Sequence, residues 1–421
     1  MTPPRALFRR SVELLTQILT DPSRPADRQV EWFFKRHRDM GVNDRGFVAE
    51  AIYSCLRQRR VFESLAQGGA ADRLIACYLI GQGWSTSALQ QAGFGPDPHA
   101  LVERVHQVDV TQLPAPVQSN LPDSLLELLV PQVGEPEIWK LAAALNRSAT
   151  VDLRVNTLKA SREEVAERLK AEGFPAEPTP FSPVGLRRRD HAPLFSTRTF
   201  QDGLFEIQDE ASQLVALLLE PRRGERIVDY CAGAGGKTLH IGALMANTGT
   251  IYAFDVSAKR LAQLSPRLAR TGLSNARPMV IAKGRDQHVR RLADKMDRVL
   301  VDAPCTGLGT LRRNPDIKWR PLRVEELARE QAQILASAAR LVKPGGRLVY
   351  STCSLLIEEN EAVLSEFLGA HLEFIHVSVE EILRRRHLSI PEAVTAAGDL
   401  RLFPHRHDTD GFFASVLERQ I

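Results

Sequence analysis

The chain has little of what marks membrane, secreted or zinc-binding proteins. None of its apolar runs approaches the ~18 residues that a membrane-spanning helix needs. Charged residues such as Arg9, Arg10 and Glu13 interrupt the N-terminal stretch, so we expect no signal peptide there. The five cysteines are odd in number, are scattered over 421 residues and form no CxxC pair. This pattern argues against a disulfide framework and a structural zinc site, and it indicates a reducing, cytoplasmic compartment.

The net charge is also small, +4 overall, but the charged residues are unevenly distributed along the chain. Residues 1–60 carry 12 Lys and Arg against 7 Asp and Glu, a net of +5, which leaves −1 for the rest. Two basic clusters, Lys35-Arg36-His37-Arg38 and Arg57-Gln58-Arg59-Arg60, could contact a nucleic-acid backbone. A solvated helix face would give the same charge pattern.

The hydrophobic periodicity predicts several domains in a chain long enough to bury more than one core. Residues 1–82 have apolar positions at helical spacing, and residues 83–120, richer in Gly, Pro and Gln, are predicted as a linker. Residues 121–205 are predicted as a helix pair at about 122–146 followed by a small α+β module. In this module Val151–Val155 alternates like a strand, and Ser161, with Glu164 at the capping-box position, begins a helix.

Residues 206–421 alternate between strand-like and helix-like segments, which predicts an α/β domain with a doubly wound parallel sheet. Ligands of such sheets bind at the carboxyl ends of the strands. The expected strands lie near 225–230, 250–254, 277–282, 297–302 and 346–352, with a closing strand at 411–417. The expected helices lie near 209–219, 237–246, 257–271, 324–342 and 357–369.

A glycine-rich loop, Cys231 to Thr238, joins the first of these strands to a helix. It lacks the first glycine of a P-loop, because Cys231 stands there, and Thr238 breaks the dinucleotide fingerprint. The loop is a tight turn that lets the backbone approach a ligand closely. Asp255, 22 residues after Gly233 and at the end of the next strand, suits a ribose hydroxyl. A nucleoside without a pyrophosphate fits this pattern better than NAD or ATP.

Two cysteines follow strand-like runs in the same domain. Cys305 ends Asp302-Ala303-Pro304-Cys305, and Cys353 lies in Ser351-Thr352-Cys353-Ser354. A buried free cysteine is more often a small apolar residue, and we expect that of Cys55 and Cys77. At a strand end the thiol is presented to the ligand instead.

Thiols at this position suit methyl transfer to a cytosine. Carbon 5 of cytosine is a poor nucleophile until a thiolate adds to carbon 6, after which it can attack a methyl sulfonium. An acid near the ring nitrogen helps the addition, and Asp302 suits that task. A proton must then leave carbon 5, and a second cysteine could assist product release.

Four segments carry a family resemblance: Cys231–Thr238, Asp302–Gly309, Arg312-Arg-Asn-Pro-Asp-Ile-Lys-Trp319 and Tyr350–Ser354. They resemble the RNA 5-methylcytosine methyltransferases of the Sun/NSUN/RsmB family, over about residues 120–421. The resemblance implies a Rossmann-like methyltransferase sheet, S-adenosyl-L-methionine as cofactor and an RNA substrate, with ribosomal RNA expected. Residues 5–80 look like the NusB-like RNA-binding domain of the bacterial members. No obligate protein partner and no membrane association are expected.

The same resemblance assigns roles to residues. It implies that Cys353 is the nucleophile, that Cys305 aids product release and that Asp302 contacts the cytosine. Asp255 would bind the cofactor ribose, and Arg260 would be a secondary cofactor contact. The expected cofactor-binding set is Cys231, Ala232, Gly233, Ala234, Gly235, Gly236, Lys237, Asp255, Arg260, Asp286 and Asp302.

The chain departs from the family pattern after the third strand, where members carry an acid that touches the adenine edge. Lys283 stands at that position here, and Asp286, three residues later, is the expected substitute. Two rival functions remain. A DNA cytosine methyltransferase would use Cys305 as its nucleophile and need no Thr-Cys partner. A non-catalytic RNA-binding factor would be expected to lose a cysteine or the glycine loop, and both are present.

Overall fold

The computed structural model describes residues 4–190, 192–282 and 286–421, and the chain forms two compact units. The helical unit comprises Met1–Ser148 and Thr310–Leu322, and the sheet unit comprises Ala149–Gly309 and Arg323–Ile421. Within the described ranges, no helix has the length and apolar character required to cross a membrane.

The helical unit is built on amphipathic helices that share one core. The first helix buries Leu14, Leu15 and Ile18, which lie at helical spacing, and it packs on the third and fifth helices. The helices are α1 (Pro4–Thr20), α2 (Ala26–Arg36), α3 (Val42–Arg57), α4 (Arg59–Ala66), α5 (Ala71–Gly81), α6 (Thr86–Ala92), α7 (Pro98–Gln107), α8 (Ala115–Gln118), α9 (Asp123–Val133) and α10 (Glu137–Leu145).

Residues 83–120, predicted as a linker, are helical and belong to this unit, which corrects the expectation. Leu89, Phe94 and Leu101 are buried in the same core as α1. Gly and Pro residues that suggested a linker instead lie at the ends of helices. Gly93 ends α6 with φ at +89°, and Pro98 is the first residue of α7. The helix pair predicted at 122–146 is α9 and α10, and both helices lie within the helical unit.

The second piece of the helical unit, Thr310–Leu322, contains the Arg312–Trp319 motif. Lys318 Nζ donates to the carbonyl oxygen of Arg57 at 2.7 Å and to Asn146 Oδ1 at 2.9 Å. Trp319 Nε1 donates to the carbonyl oxygen of Leu56 at 2.7 Å. Burial lowers the pKa of Lys318 well below its usual value. This motif is therefore part of the structure of the helical unit.

The sheet unit begins with a small antiparallel sheet in the order β2-β3-β1-β4. The predicted capping box is present, since Glu164 N donates to Ser161 Oγ at 3.2 Å and Ser161 N donates to Glu164 Oε2 at 2.7 Å. The elements of this module are β1 (Val151–Val155), α11 (Arg162–Ala171), β2 (Glu177–Pro178), β3 (Gly185–Arg188), α12 (Arg198–Gln201) and β4 (Phe205–Ile207).

A larger sheet follows, in the order β10-β12-β9-β8-β5-β6-β7, with β11 paired to β12. Its strands are β5 (Arg226–Asp229), β6 (Thr250–Asp255), β7 (Ala276–Val280), β8 (Met296–Asp302), β9 (Val342–Thr352), β10 (Phe374–Val377), β11 (Leu400–Leu402) and β12 (Phe412–Arg419). Strands β5 to β9 are parallel, as predicted, whereas β10, β11 and β12 pair antiparallel.

The helices of this part connect the strands. The helix predicted at 257–271 is divided into α15 and α16, because Pro266 has no N–H to bond the carbonyl of Ala262. The helices are α13 (Glu210–Leu218), α14 (Gly236–Leu244), α15 (Ala258–Leu261), α16 (Leu264–Thr271), α17 (Gln287–Arg291), α18 (Val324–Ala339), α19 (Glu361–Ala370), α20 (Val379–Arg385) and α21 (Pro404–His407).

Candidate active site

The glycine loop connects β5 to α14 through a backbone that only glycine adopts easily. Gly233 and Gly235 have φ of +56° and +86°. A Cβ at Gly233 would lie 2.4 Å from Arg260 Nη2, and one at Gly235 would lie 2.2 Å from a Leu264 methyl carbon. The positive φ disfavours a side chain at both positions, and at Gly235 the packing against Leu264 of α16 also opposes one.

Asp255, at the end of β6, is tied to this loop. Its Oδ2 accepts the backbone N–H of Gly233 at 2.8 Å, and its Oδ1 accepts that of Ser257 at 2.7 Å. The Arg260 guanidinium lies 3.8 Å from the same carboxylate and is largely exposed. Asp255, Val256 and Ile281 line one cleft. A carboxylate beside two apolar side chains fits a ribose diol and the faces of an adenine ring.

This cleft, of about 1420 Å³, runs along the carboxyl ends of the parallel strands. Asp302, Cys305, Cys353 and Phe412 line it together with Cys231 of the glycine loop. The sheet therefore brings the loop, the Asp255 carboxylate and both strand-end cysteines to one cavity, as the sequence predicts.

The two strand-end thiols are in contact. Asp302 and Ser351 are register partners on β8 and β9, so the segments that follow these residues emerge side by side. Cys305 Sγ lies 3.4 Å from Cys353 Sγ, and both thiols are free. The hydrogen bond with Cys353 raises the pKa of Cys305 well above its usual value, and burial adds to this effect.

Asp302 lies between a cation and a hydroxyl. Its Oδ2 is 2.7 Å from Lys237 Nζ, and its Oδ1 accepts from Ser351 Oγ at 3.2 Å. The Lys237 ammonium lies 5.1 Å from the centre of the Phe412 ring. The lysine of the glycine loop thus contacts the acid of the Asp-Ala-Pro-Cys motif.

Two acidic residues of the site were missed by the sequence reading. Asp229, at the end of β5, accepts a hydrogen bond from Thr238 Oγ1 at 2.7 Å and so joins the two ends of the glycine loop. Burial raises the pKa of Asp229 to about 7. An acid two residues before the loop was the available signal. Glu359, fully buried, contacts the residues that follow both cysteines, and nothing in its local sequence indicates this.

The remaining predicted site residues have simpler surroundings. Asp286 Oδ2 accepts from the backbone N–H of Ala282 at 2.9 Å. Lys283 lies outside the described residues. Cys231 is part of the cleft wall, and burial raises the pKa of its thiol. Cys55 and Cys77 are buried in the core of the helical unit, as expected of small apolar residues.

The two basic clusters of the helical unit differ. Arg57 is buried and donates to the carbonyl oxygen of Arg312, Arg59 pairs with Glu63 at 2.7 Å, and Arg60 bonds Asp123 at 2.7 Å. The buried Arg57 is thus withdrawn from any phosphate, which corrects its reading, whereas the Arg59 and Arg60 side chains keep 28% and 19% of their surface exposed. In the first cluster, by contrast, Lys35, Arg36 and Arg38 are exposed.

Comparisons with family models identify two regions of the chain. Residues 216–418 match the model described as 16S rRNA methyltransferase RsmB/F, and residues 121–193 match the ferredoxin-like domain of RsmF/B-like methyltransferases. The second match covers α9, α10 and most of the small antiparallel sheet.

Curated relatives carry related names. The probable ribosomal RNA small subunit methyltransferase B of Synechocystis is 38% identical over 72% of this chain and 67% of its own length. The probable ribosomal RNA small subunit methyltransferase B of Bacillus subtilis is 36% identical over 64% of this chain and 59% of its own length. An Escherichia coli ribosomal RNA small subunit methyltransferase F is 35% identical over 66% of this chain, and the match spans 58% of its length. The matched region is thus between about three fifths and two thirds of these relatives.

Solved structures agree with the fold. The crystal structure of PH0851 superposes with a TM-score of 0.80 at 29% identity, over 100% of this chain and 99% of that one. NSun6 from Pyrococcus horikoshii, solved with SFG, gives a TM-score of 0.62 at 26% identity, over 71% of this chain and 98% of that one. A methyltransferase homologue protein from Pyrococcus horikoshii gives a TM-score of 0.62 at 30% identity, over 74% of this chain and 100% of that one.

Proposed function

The chain belongs to the RsmB/F family of 16S ribosomal RNA methyltransferases, and from this premise we propose that it methylates carbon 5 of a cytosine in small-subunit ribosomal RNA. The methyl donor of the proposal is S-adenosyl-L-methionine. The observation that carries it is the contact of Cys305 and Cys353, 3.4 Å apart, in the cleft that Asp255 also lines. A fold kept only for binding RNA has no use for two touching thiols at a ligand cleft.

The cofactor site of the proposal is built from residues of the glycine loop and β6. Asp255 would accept the two ribose hydroxyls, and Val256 and Ile281 would enclose the adenine. Backbone groups from Cys231 to Gly236 would face the amino-acid part of the ligand. Arg260 and Asp286 remain proposed secondary contacts. Bound there, the cofactor supplies an electrophilic methyl group.

The base site of the proposal lies at the cysteines. Cys353 would add as a thiolate to carbon 6, which makes carbon 5 nucleophilic. Asp302, fixed by Lys237 and Ser351, would hold the ring-nitrogen edge of the cytosine. Cys305, beside the bond that Cys353 forms, would assist loss of the carbon 5 proton. That loss re-forms the carbon 5–carbon 6 double bond and expels Cys353.

The helical unit would hold structured RNA through its phosphates, which requires exposed cations rather than base-reading side chains. Lys35, Arg36 and Arg38 supply them. A reducing compartment such as the cytoplasm would keep both thiols free, as the mechanism needs.

The test is a pair of cysteine substitutions assayed on RNA containing 5-azacytosine, which traps the covalent intermediate. Cys353→Ala should abolish both methyl transfer and the trapped adduct. Cys305→Ala should retain the adduct and lose turnover. An adduct that persists without Cys353 and disappears without Cys305 would reverse the two roles.

A further inference from the structure

Glu359 is a fully buried carboxylate in the short turn Ile357–Glu359, just after the Cys353 segment. Its Oε1 accepts from the Thr306 N–H and from Gln331 Nε2, both at 2.9 Å. Its Oε2 accepts from Thr306 Oγ1 at 2.6 Å and from Ser354 Oγ. Four donors thus compensate the loss of water around one carboxylate.

The donors come from the two segments that carry the thiols. Thr306 follows Cys305, and Ser354 follows Cys353. One carboxylate oxygen binds both hydroxyls, which also lie 3.2 Å from each other. The sulfur–sulfur contact and this carboxylate clamp therefore join the same pair of loops, on adjacent residues.

The clamp is itself fixed to the sheet and to α18. The backbone carbonyl of Glu359 accepts from Tyr350 OH at 2.6 Å, and Tyr350 is a buried residue of β9. Gln331 of α18 donates to the carbonyl oxygen of Pro304 at 2.9 Å as well as to Glu359. Gln331 thus links Glu359 to the residue before Cys305.

Resting on the proposed function, we propose that Glu359 is a positioning residue that sets the spacing of Cys305 and Cys353 for covalent addition and release. It touches neither sulfur through a hydrogen bond and acts through Thr306 and Ser354. Its charge has a second effect. The pKa of Cys305 is raised most by the hydrogen bond with Cys353, then by burial and by the charge of Cys353. The Glu359 carboxylate is the next cause and raises it further.

The experiment compares Glu359→Ala and Glu359→Gln with the wild type, using a small-subunit ribosomal RNA transcript and S-adenosyl-L-methionine. The control is Glu366→Ala, on the exposed side of α19. We expect Glu359→Ala to lower kcat roughly 100-fold, because a misplaced reacting group costs about that much. Cofactor affinity should stay within about twofold, since Glu359 lies outside the cofactor site. Glu366→Ala should match the wild type.

Glu359→Gln separates geometry from charge. Its amide oxygen can accept from Thr306 N and Gln331, and its NH₂ can donate to the two hydroxyl oxygens. We therefore expect most of kcat to return. Removing the charge lowers the pKa of Cys305, so the limb of the pH–kcat profile that reports Cys305 should move to lower pH.

Three results would overturn the proposal. They are a folded Glu359→Ala enzyme with kcat within about twofold of wild type, a folded Glu359→Gln enzyme as impaired as the alanine variant, or a cofactor affinity that falls with kcat. If Glu359→Ala does not fold, Thr306→Val removes one bond of the clamp and should lower kcat about tenfold. Wild-type kcat in that variant would then be the overturning result. Absence of methylation by the wild type itself would contradict the proposed function instead.

Discussion

Lys237 Nζ lies 2.7 Å from Asp302 Oδ2, so the glycine loop and the Asp-Ala-Pro-Cys motif, 65 residues apart, meet in one ion pair. The lysine side chain is 8% exposed and that of Asp302 is 32% exposed. Such a pair, hydrogen-bonded and largely withdrawn from water, orients the carboxylate more firmly than a surface pair would. Lys237 and Asp302 were both predicted among the cofactor contacts, and this ion pair also ties the lysine to the acid of the proposed base site.

Lys237→Met should therefore impair chemistry more than cofactor binding. Losing a charge-assisted hydrogen bond costs about 1.5–3 kcal/mol, or about 10- to 150-fold. We expect a loss of that size in kcat/KM for RNA, with a nearly unchanged cofactor affinity measured by calorimetry. Lys259→Met, an exposed lysine of α15, is the control. If the variant instead lost cofactor affinity and kept the wild-type kcat/KM for RNA, Lys237 would be a cofactor contact and not a support of Asp302.

Asp255→Ala should weaken S-adenosyl-L-methionine binding by about 10- to 150-fold, the value of a charge-assisted hydrogen bond. Asp255→Asn should also bind poorly. Both oxygens of Asp255 accept backbone N–H groups, and an amide NH₂ would face one of these donors. Calorimetry on both variants, with Glu366→Ala as the control, is the measurement. Wild-type affinity in either variant would exclude Asp255 as the ribose ligand.

Asp229 predicts a pH dependence of stability. Its pKa in the folded protein, about 7, exceeds the unfolded value of about 3.9, so the folded state binds the proton more tightly. The stabilisation is complete below the unfolded pKa and is lost as the pH rises through about 7. From about pH 5 to pH 8, the melting temperature of the wild type should therefore fall more than that of Asp229→Asn.

Asp297→Asn is the opposite control for this experiment. The hydrogen bond from Lys343 and that from the Arg226 N–H outweigh burial and lower the pKa of Asp297. Its contribution to stability is present above the unfolded pKa and is lost only as the pH falls below it. Asp297→Asn should thus melt lower than the wild type but follow the same slope from about pH 5 to pH 8. An Asp229→Asn profile parallel to the wild type would show that Asp229 is ionised throughout.

Phosphate binding by the helical unit can be tested without deleting it. Removing residues 1–80 would cut through one core, since Leu89 and Leu101 belong to the same cluster of buried residues as the helices α1 to α5. The triple substitution Lys35→Ala, Arg36→Ala, Arg38→Ala leaves that core intact. It should weaken RNA binding and reduce the slope of log K against log salt by about 2–3, one counterion for each contact.

The matched control removes three exposed cations of the sheet unit, Arg222, Arg223 and Lys259. It changes the net charge equally, so a difference between the two triple variants reports position rather than total charge. Filter binding over a salt series is the measurement. Equal slopes in the two variants would remove the Lys35–Arg38 cluster from the RNA contact.

Local sequence is informative where function needs a residue at a strand end. Strand–helix alternation predicts the bounds of β5 to β8 within two residues, whereas β9 begins four residues before its predicted start. Most of these strands are short apolar runs bounded by turns, as buried parallel strands are. Because these strands are parallel, their carboxyl ends lie at the same edge of the sheet. Asp255, Cys305 and Cys353, at or just after those ends, therefore share that edge. The cleft follows from connectivity alone.

Contacts between distant residues could not be read in this way. The Gly and Pro residues at 83–120 looked like a linker because caps and linkers use the same residue types. Arg57 looked like a phosphate contact because charge composition does not distinguish a solvated cation from one that bonds a buried carbonyl.

The sequence by itself determined the strand–helix alternation, the glycine turn and the two strand-end cysteines, since each depends on neighbours within a few residues. Only the tertiary structure decided that Lys237 pairs with Asp302, that Lys318 bonds Arg57, and that Glu359 joins the two cysteine loops. These bonds connect residues far apart in the chain. Packing determines them, because a buried polar group must find its partner wherever the fold brings one.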